Sequence, residues 1–356
     1  MVKLTDNASL LPYNTFGMHV HAALLVQYDT TDELQAVLSS ARVRQLMQDE
    51  LSHGRLPFWH IGAGSNLLFR GDYPGVVLHC NAKGIRIACD ADGRPRDNEG
   101  DSEACYLDVD AGTVWDDVCG YCASQGLYGP ENLSAIPGEA GAAAVQNIGA
   151  YGVELSDLVE SVTCWDVEQG CLKVFSQTEM HYGYRESLLK HAEAKSRYIV
   201  CKVTLRTLRH GELKLSYAGL KAALPEHPTV QDVRNAVISI RANKLPDPKV
   251  LGNAGSFFKN PIVSHEKFAE LLASYPDMPH YIIDAQHVKV PAGWLIEQCG
   301  WKGRSLGQAG VYERQSLVLV NRGNASPDEV VKLCQTIIDD VAQKFGIRIE
   351  PEVNII

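Results

Sequence analysis

Residues 136–152 read IPGEAGAAAVQNIGAYG, and how this stretch is interpreted decides how the rest of the chain is interpreted. Gly138, Gly141, Gly149 and Gly152 are spaced by Ala142, Ala143 and Ala144, and Glu139 carries the only charge. Glycine admits positive φ and lets another backbone or a flat ligand come to contact distance. Methyl groups bury little apolar area, so a run this long and this small makes a poor core element by itself. Two readings are open. One is a wall against which a large planar or phosphorylated cofactor lies, with main-chain N–H groups aimed at it. The other is a tight loop packed under a sheet.

The totals narrow the class. At 356 residues, two to three domains are expected. Apolar residues make up 45% and charged residues 21%, the balance of a soluble globular protein. A formal charge of −10 argues against non-specific binding to nucleic acid or to an acidic membrane, so an anionic ligand needs local basic groups. The N-terminal MVKLTDNASLLPYNTFG has no apolar signal region, and no window nears 18 uninterrupted apolar residues. Ten cysteines without a framework pattern then read as reduced thiols, and the expected compartment is the cytoplasm. Cys119 and Cys122 form an isolated C-x-x-C inside a helical pattern, which reads as a structural pair; no metal site is assigned.

Outward from the wall, the elements alternate in type. Thr30 and Glu33 form a capping box before Leu34, Val37 and Leu38. Residues 58–69, FWHIGAGSNLLF, run a strand into Gly62, Gly64, Ser65 and Asn66, a turn whose amides suit a diphosphate but which also reads as a plain turn. Residues 76–111 alternate in short bursts like strands, 113–125 read as a helix, and 159–167 with 171–175 read as a hairpin. A strand is expected over 197–205, a helix from Thr229 to Lys244 ended by Pro246 and Pro248, and a helix capped by Ser326 and Glu329 that stops near Gly346. The closing IRIEPEVNII reads as a strand with an edge or bulge at Pro351. Without a clean βαβ repeat, the class is α+β.

Three clusters hold polar groups a core would not choose. In HYGYRES, Arg185 beside Tyr182 and Tyr184 is either a solvated hairpin or a fixed fork for a carboxylate. Arg241, Lys244, Lys249 and Lys259 against Asp247 give a local +3, the basic patch an anionic ligand requires, although helix C-terminal capping also explains Arg241 and Lys244. Within it Ser256 sits between Gly255 and Phe257, outside any nucleophile elbow, and suits proton delivery to a carbanion. Glu350 and Glu352 share a face of the last strand, where burial would favour a proton-sharing role for Glu352.

Asn14–Thr15–Phe16–Gly17, GAGSNLLF, IPGEAGAAAVQNIGAYG, GYR, KLPDPK, NAGSFFKNP, AGWLIEQCGWKG and EPEV, in this order from about residue 12 to the C-terminus, closely resemble the UDP-N-acetylenolpyruvoylglucosamine reductase family of bacterial peptidoglycan synthesis. The resemblance implies an FAD-binding half of the vanillyl-alcohol-oxidase type over 1–209, in two α+β subdomains split near 70. It also implies a smaller α+β substrate-binding domain over 210–346 and a C-terminal strand, 347–356, returning to the active site. FAD is expected to be non-covalent, reduced by NADPH, and reoxidised by the enolpyruvyl sugar nucleotide; the partners are thus a UDP-sugar and NADPH, with no nucleic acid, no membrane and no oligomer required.

Carried over position by position, the resemblance makes Ser256 the proton donor and pairs Arg185 with Glu352 on the substrate carboxylate. It assigns Tyr184, Tyr217, Lys244, Asn260 and Gln315 to the UDP-sugar, Tyr217 marking the longer form with a tyrosine loop. FAD contacts fall on Gly62, Gly64, Ser65, Asn66, Gly138, Gly141, Ala142, Val145, Gln146, Asn147, Gly149, Tyr151, Ile199 and Arg241. Two rival readings are a flavin oxidase on the same scaffold and a catalytically silent sugar-nucleotide binder.

Overall fold

In the computed structural model, which describes residues 1–90, 96, 103–217 and 219–356, the strand Tyr73–Cys80 is buried along nearly its whole length, whereas Ala104–Asp110 alternates between buried and half-buried positions. Continuous burial belongs to a strand covered on both faces, and alternation to one with a wetter face. The two strands accordingly lie in different sheets. One sheet has the order Lys3–Ser9, His21–Tyr28, Tyr73–Cys80, Phe58–Ile61, and its last three strands are parallel. The helices Thr31–Ser39 and Ala41–Ser52 make the crossover, capped by the Thr30 and Ser40 hydroxyls. So one parallel crossover is present where the pattern suggested none; the rest of the pairing keeps the α+β class.

The other sheet is antiparallel, in the order Cys171–Ser176, Val159–Asp166, Tyr198–Leu208, Ala104–Asp110, Ile85–Ile87. Its hairpin turns where Asp166 accepts from the amides of Glu168 and Gln169, and the Arg197 fork holds the same carboxylate. Against this sheet packs the helix Trp115–Ser124, with Trp115, Val118, Cys119 and Cys122 in the core. Burial pushes the Cys122 thiol up to about 12 and Cys119 well above its usual value, so both behave as small apolar groups.

These sheets belong to a first compact unit, Met1–Ala8, Ala22–Ala63 and Tyr73–Asn243. The helix Val230–Lys244 belongs to this unit as far as Asn243. Val233 and Val237 pack with Leu220, and Arg234 makes a two-pronged ion pair to Asp116, at 2.6 and 2.9 Å.

Within the same unit, Tyr28 Oη lies 3.0 Å from His60 Nε2. Loss of hydration, helped by nearby His79, lowers His60 from 6.5 to about 3. Between those two values the unfolded chain holds a proton that the folded chain lacks, so stability falls as the pH drops through this window. In His60→Gln the fall in urea midpoint from pH 6.5 to 4 should flatten; a slope equal to that of the parent protein would contradict this assignment.

The second unit comprises Ser9–His21, Gly64–Asp72 and Lys244–Ile356. It holds a sheet ordered Gly252–Ser256, Val318–Asn321, Ala309–Val311, Ser305–Leu306, and a three-stranded sheet of Ile262–Ser264, His287–Lys289 and Tyr281–Ile282. Phe16 meets Phe257 edge-on at 6.1 Å in the core. The helix Pro327–Phe345 carries the expected Ser326–Glu329 capping box and ends at left-handed Gly346. The expected C-terminal strand is mostly extended chain. Only Asn354–Ile355 forms a strand, parallel to Leu67–Leu68, after an isolated bridge between Phe258 and Pro351. On either side of Pro351, which has no N–H to offer, Glu350 O accepts from Lys259 N and Glu352 N donates to Phe257 O; beyond them Asn354 N donates to Asn66 O and Ile356 N to Leu68 O.

Candidate active site

In the first unit the small-residue stretch contains a short helix, Ala140–Gln146. Alanine is the best helix former, and three in a row outweigh the glycine at 141. Ala140, Gly141, Ala143 and Ala144 are buried, whereas Ala142, Val145 and Gln146 are half-buried along one face. A Cβ on Gly141 would stand 2.9 Å from that of Ala111, so glycine is what lets this helix lie on the sheet. Both readings of the stretch therefore hold in part: one side is packed and the other is an open ledge of small side chains.

Glu139, the stretch's single charge, is buried with a partner. Its Oε1 lies 3.3 Å from His79 Nε2, and His79 Nδ1 lies 3.1 Å from Asn81 Oδ1. A Cβ on Gly62 would be 3.0 Å from Glu139 Oε2, which keeps that turn against the ledge. Nothing in the sequence pattern pointed to His79.

Residues 183–190 clasp the ledge's C-terminal end, where helix carbonyls need donors. Ser187 Oγ donates to Val145 O at 2.6 Å, and Lys190 Nζ to Gln146 Oε1 at 3.3 Å. Arg185 donates to Asn147 O at 3.3 Å and to Gly149 O at 2.7 Å, so the wall orients its guanidinium. A Cβ on Gly149 would meet Arg185 Nη1 at 2.9 Å. Tyr184 lies beside it, the guanidinium carbon being 5.4 Å from the ring centre. Asn147 is fully engaged: its side chain bonds Glu154, Gly183 and the Ser156 amide. It therefore shapes the loop.

Backbone strain collects here. Ala135, Asn147, Tyr151 and Arg185 have φ of 57°, 44°, 51° and 56°. Non-glycine residues hold such angles only where their surroundings impose them. Asp116 accepts from the Ala135 amide, and Arg241 Nε donates to Ala135 O at 3.1 Å. Arg241 also bonds the Tyr151 hydroxyl, and burial lowers its pKa from the usual arginine value. Tyr151 packs edge-on against Tyr217, 4.9 Å between ring centres. Ile199 is fully buried in the central strand of the antiparallel sheet, opposite Trp165, and offers a ligand its backbone at most.

In the second unit, Gly64 has φ +67°, and a Cβ there would stand 1.8 Å from Tyr13 O. Ser65 is half-buried beside it. Asn66 Nδ2 donates to Glu352 O at 3.3 Å. Glu352 N donates in turn to Phe257 O at 2.8 Å, which sets Glu352 one residue away from Ser256 across the bridge. Ser256 is exposed at the end of its strand, after a register shift that begins at Asn253 and passes through left-handed Gly255. Glu352 is half-buried. Asn260 Oδ1 accepts from Ala292 N at 2.9 Å, and Gln315 Oε1 from Leu317 N at 3.3 Å. Lys244 is exposed at its helix end. Among the described residues no cluster of His, Cys, Asp or Glu is fit to hold a metal, and no helix is long and apolar enough to cross a membrane.

The open small-residue ledge with a desolvated guanidinium at its edge fits a planar, phosphate-bearing cofactor, and residues 22–176 match the family model described as FAD binding domain. The fold and this ledge define an FAD-binding protein with a second α+β unit. Residues 247–356 match the family model described as UDP-N-acetylenolpyruvoylglucosamine reductase, C-terminal domain.

Proteins called UDP-N-acetylenolpyruvoylglucosamine reductase are 46% identical in Bacteroides fragilis, over 98% of both chains, and 42% identical in Chromobacterium violaceum, over 97% of both. The chain belongs to the UDP-N-acetylenolpyruvoylglucosamine reductase family. The crystal structure of the enzyme of that name from Thermus caldophilus shares the fold, with a TM-score of 0.64 at 22% identity over 100% of this chain and 98% of that one.

Proposed function

We propose that the protein reduces UDP-N-acetylenolpyruvoylglucosamine to UDP-N-acetylmuramate with NADPH, in the cytoplasm, for peptidoglycan synthesis. Gly62, Ala142, Val145, Gln146 and Arg241 would be among the residues holding FAD non-covalently, and the bound flavin would supply two-electron hydride chemistry between NADPH and C3 of the enolpyruvyl group. The first unit binds FAD, and residues of the second unit contribute to sugar-nucleotide binding. Ser256 gives its hydroxyl proton to C2, and its exposure lets water restore that proton. Hydride addition to an enol ether conjugated with a carboxylate builds negative charge on the carboxylate oxygens. Arg185 and Glu352 stabilise that charge, which raises the rate because it grows toward the transition state. Tyr184, Tyr217, Lys244, Asn260 and Gln315 hold the UDP-sugar.

The observation that carries this reading is the exposed Ser256 hydroxyl one residue from the Phe257–Glu352 hydrogen bond, in a chain of this family. The experiment is anaerobic: NADPH is added to the purified yellow protein, and then the enolpyruvyl sugar nucleotide. Bleaching by the first and recovery of colour by the second are expected. Recovery by oxygen alone would favour an oxidase, and a colourless protein that binds the sugar nucleotide a silent binder.

Arg185→Lys keeps the charge but loses the planar fork that two wall carbonyls orient. Flavin reoxidation by the sugar nucleotide should slow by roughly 10² to 10³. A rate within a few-fold of the parent would remove Arg185 from the reaction.

A further inference from the structure

Asn132 is fully buried in the short turn Pro130–Leu133, and the chemistry above makes no use of it. Its Nδ2 donates to Tyr151 O at 2.9 Å and to Lys214 O at 2.8 Å. The first acceptor ends the flavin wall, and the second lies three residues before Tyr217. Around this joint Tyr151 and Tyr217 meet edge-on, and a Cβ on Gly152 would stand 3.7 Å from Ser216 Oγ. Leu213, Leu215 and Tyr217 pack with Tyr151 on the helix Val230–Lys244.

Asn132 Oδ1 is buried and has no hydrogen-bond partner. An unmatched buried acceptor is unfavourable. The primary amide here supplies two N–H groups from one planar nitrogen to two carbonyls, and the idle oxygen comes with it. Between the strand ending at Leu208 and the helix starting at Val230, the described residues hold only the short turn Lys221–Ala223 as regular structure. Such a segment depends on a few side-chain contacts for its order.

We propose that Asn132 is a positioning residue that latches the Tyr217 segment onto the end of the flavin wall, so that Tyr217 is already ordered when the sugar nucleotide arrives. This rests on the reading of Tyr217 as a substrate contact. Asn132 touches no substrate and acts through Tyr151 and Lys214. Without the latch, binding has to order the segment each time, which raises KM and spares kcat.

The test uses the FAD-loaded enzyme. In Asn132→Leu, amide hydrogen exchange over residues 211–217 should quicken by about tenfold, and KM for the UDP-sugar should rise by about tenfold with kcat within about twofold. In a Tyr217→Ala background, Asn132→Leu should raise KM no further. Unchanged exchange, or increments that add in the double variant, overturns the proposal. Quickened exchange with a Tyr217→Ala KM equal to the parent's upholds the latch and overturns the reading of Tyr217. If Asn132→Leu purifies without flavin, Asn132→Asp carries the same measurements: it keeps the shape and sets carboxylate oxygens against both carbonyls.

Discussion

Ser256→Ala should purify yellow and bleach with NADPH, while reoxidation by the sugar nucleotide slows by roughly 10² to 10⁴, the usual contribution of a positioned proton donor. Removing one hydroxyl from an exposed strand end costs little stability, so the effect falls on chemistry. The geometry around the residue is set without its side chain: Phe257 and Phe258 are buried, and the Phe257 carbonyl holds Glu352. Stopped-flow traces separate the two half-reactions. Equal slowing of both would mean that the variant disturbs the flavin itself, and normal turnover would end the assignment of Ser256 as the donor.

Gly64→Ala should give the largest loss of stability. At φ +67° any side chain is strained, and here the added Cβ would stand 1.8 Å from Tyr13 O and 2.9 Å from Asn14 Cα. Both obstacles are backbone, so neither can rotate away. Strain of this kind, together with a forced backbone shift, should lower stability by about 3 kcal/mol or more. Gly54 is the control, because its φ is +70° and nothing lies within 4 Å of an added Cβ. Gly54→Ala should lose only about 1 kcal/mol, the cost of the left-handed angle. Comparing urea midpoints of the two variants isolates the close approach, and equal losses would refute it.

Much was legible because it is local. Ser326 and Glu329 close a capping box within one helical turn, and Thr30 Oγ1 accepts from Glu33 N, although the Glu33 carboxylate takes the amide of Asp29 and not that of Thr30, so the box there is half formed; both caps lie within a few residues of sequence. The hairpin at 159–176 was legible from alternation with a polar turn. The helix Ala140–Gln146 was hidden, since its flanking glycines signal turns while its three alanines signal helix. The parallel crossover was hidden too, because Tyr73–Cys80 pairs between two strands that precede it.

By itself the sequence determined that residues 136–152 present a small-residue surface, and through its ordered motifs it carried the resemblance to a flavin reductase family. Only the tertiary structure decided that Ala135, Asn147, Tyr151 and Arg185 take left-handed angles, that Glu139 pairs with His79, and that Ser256 lies one residue from the Glu352 hydrogen bond. Side-chain size and helix caps act within a few residues of themselves. A strained φ or a buried charge persists only through partners far away in the chain, such as Arg241 for Ala135, and those partners are chosen by the packing of the whole unit.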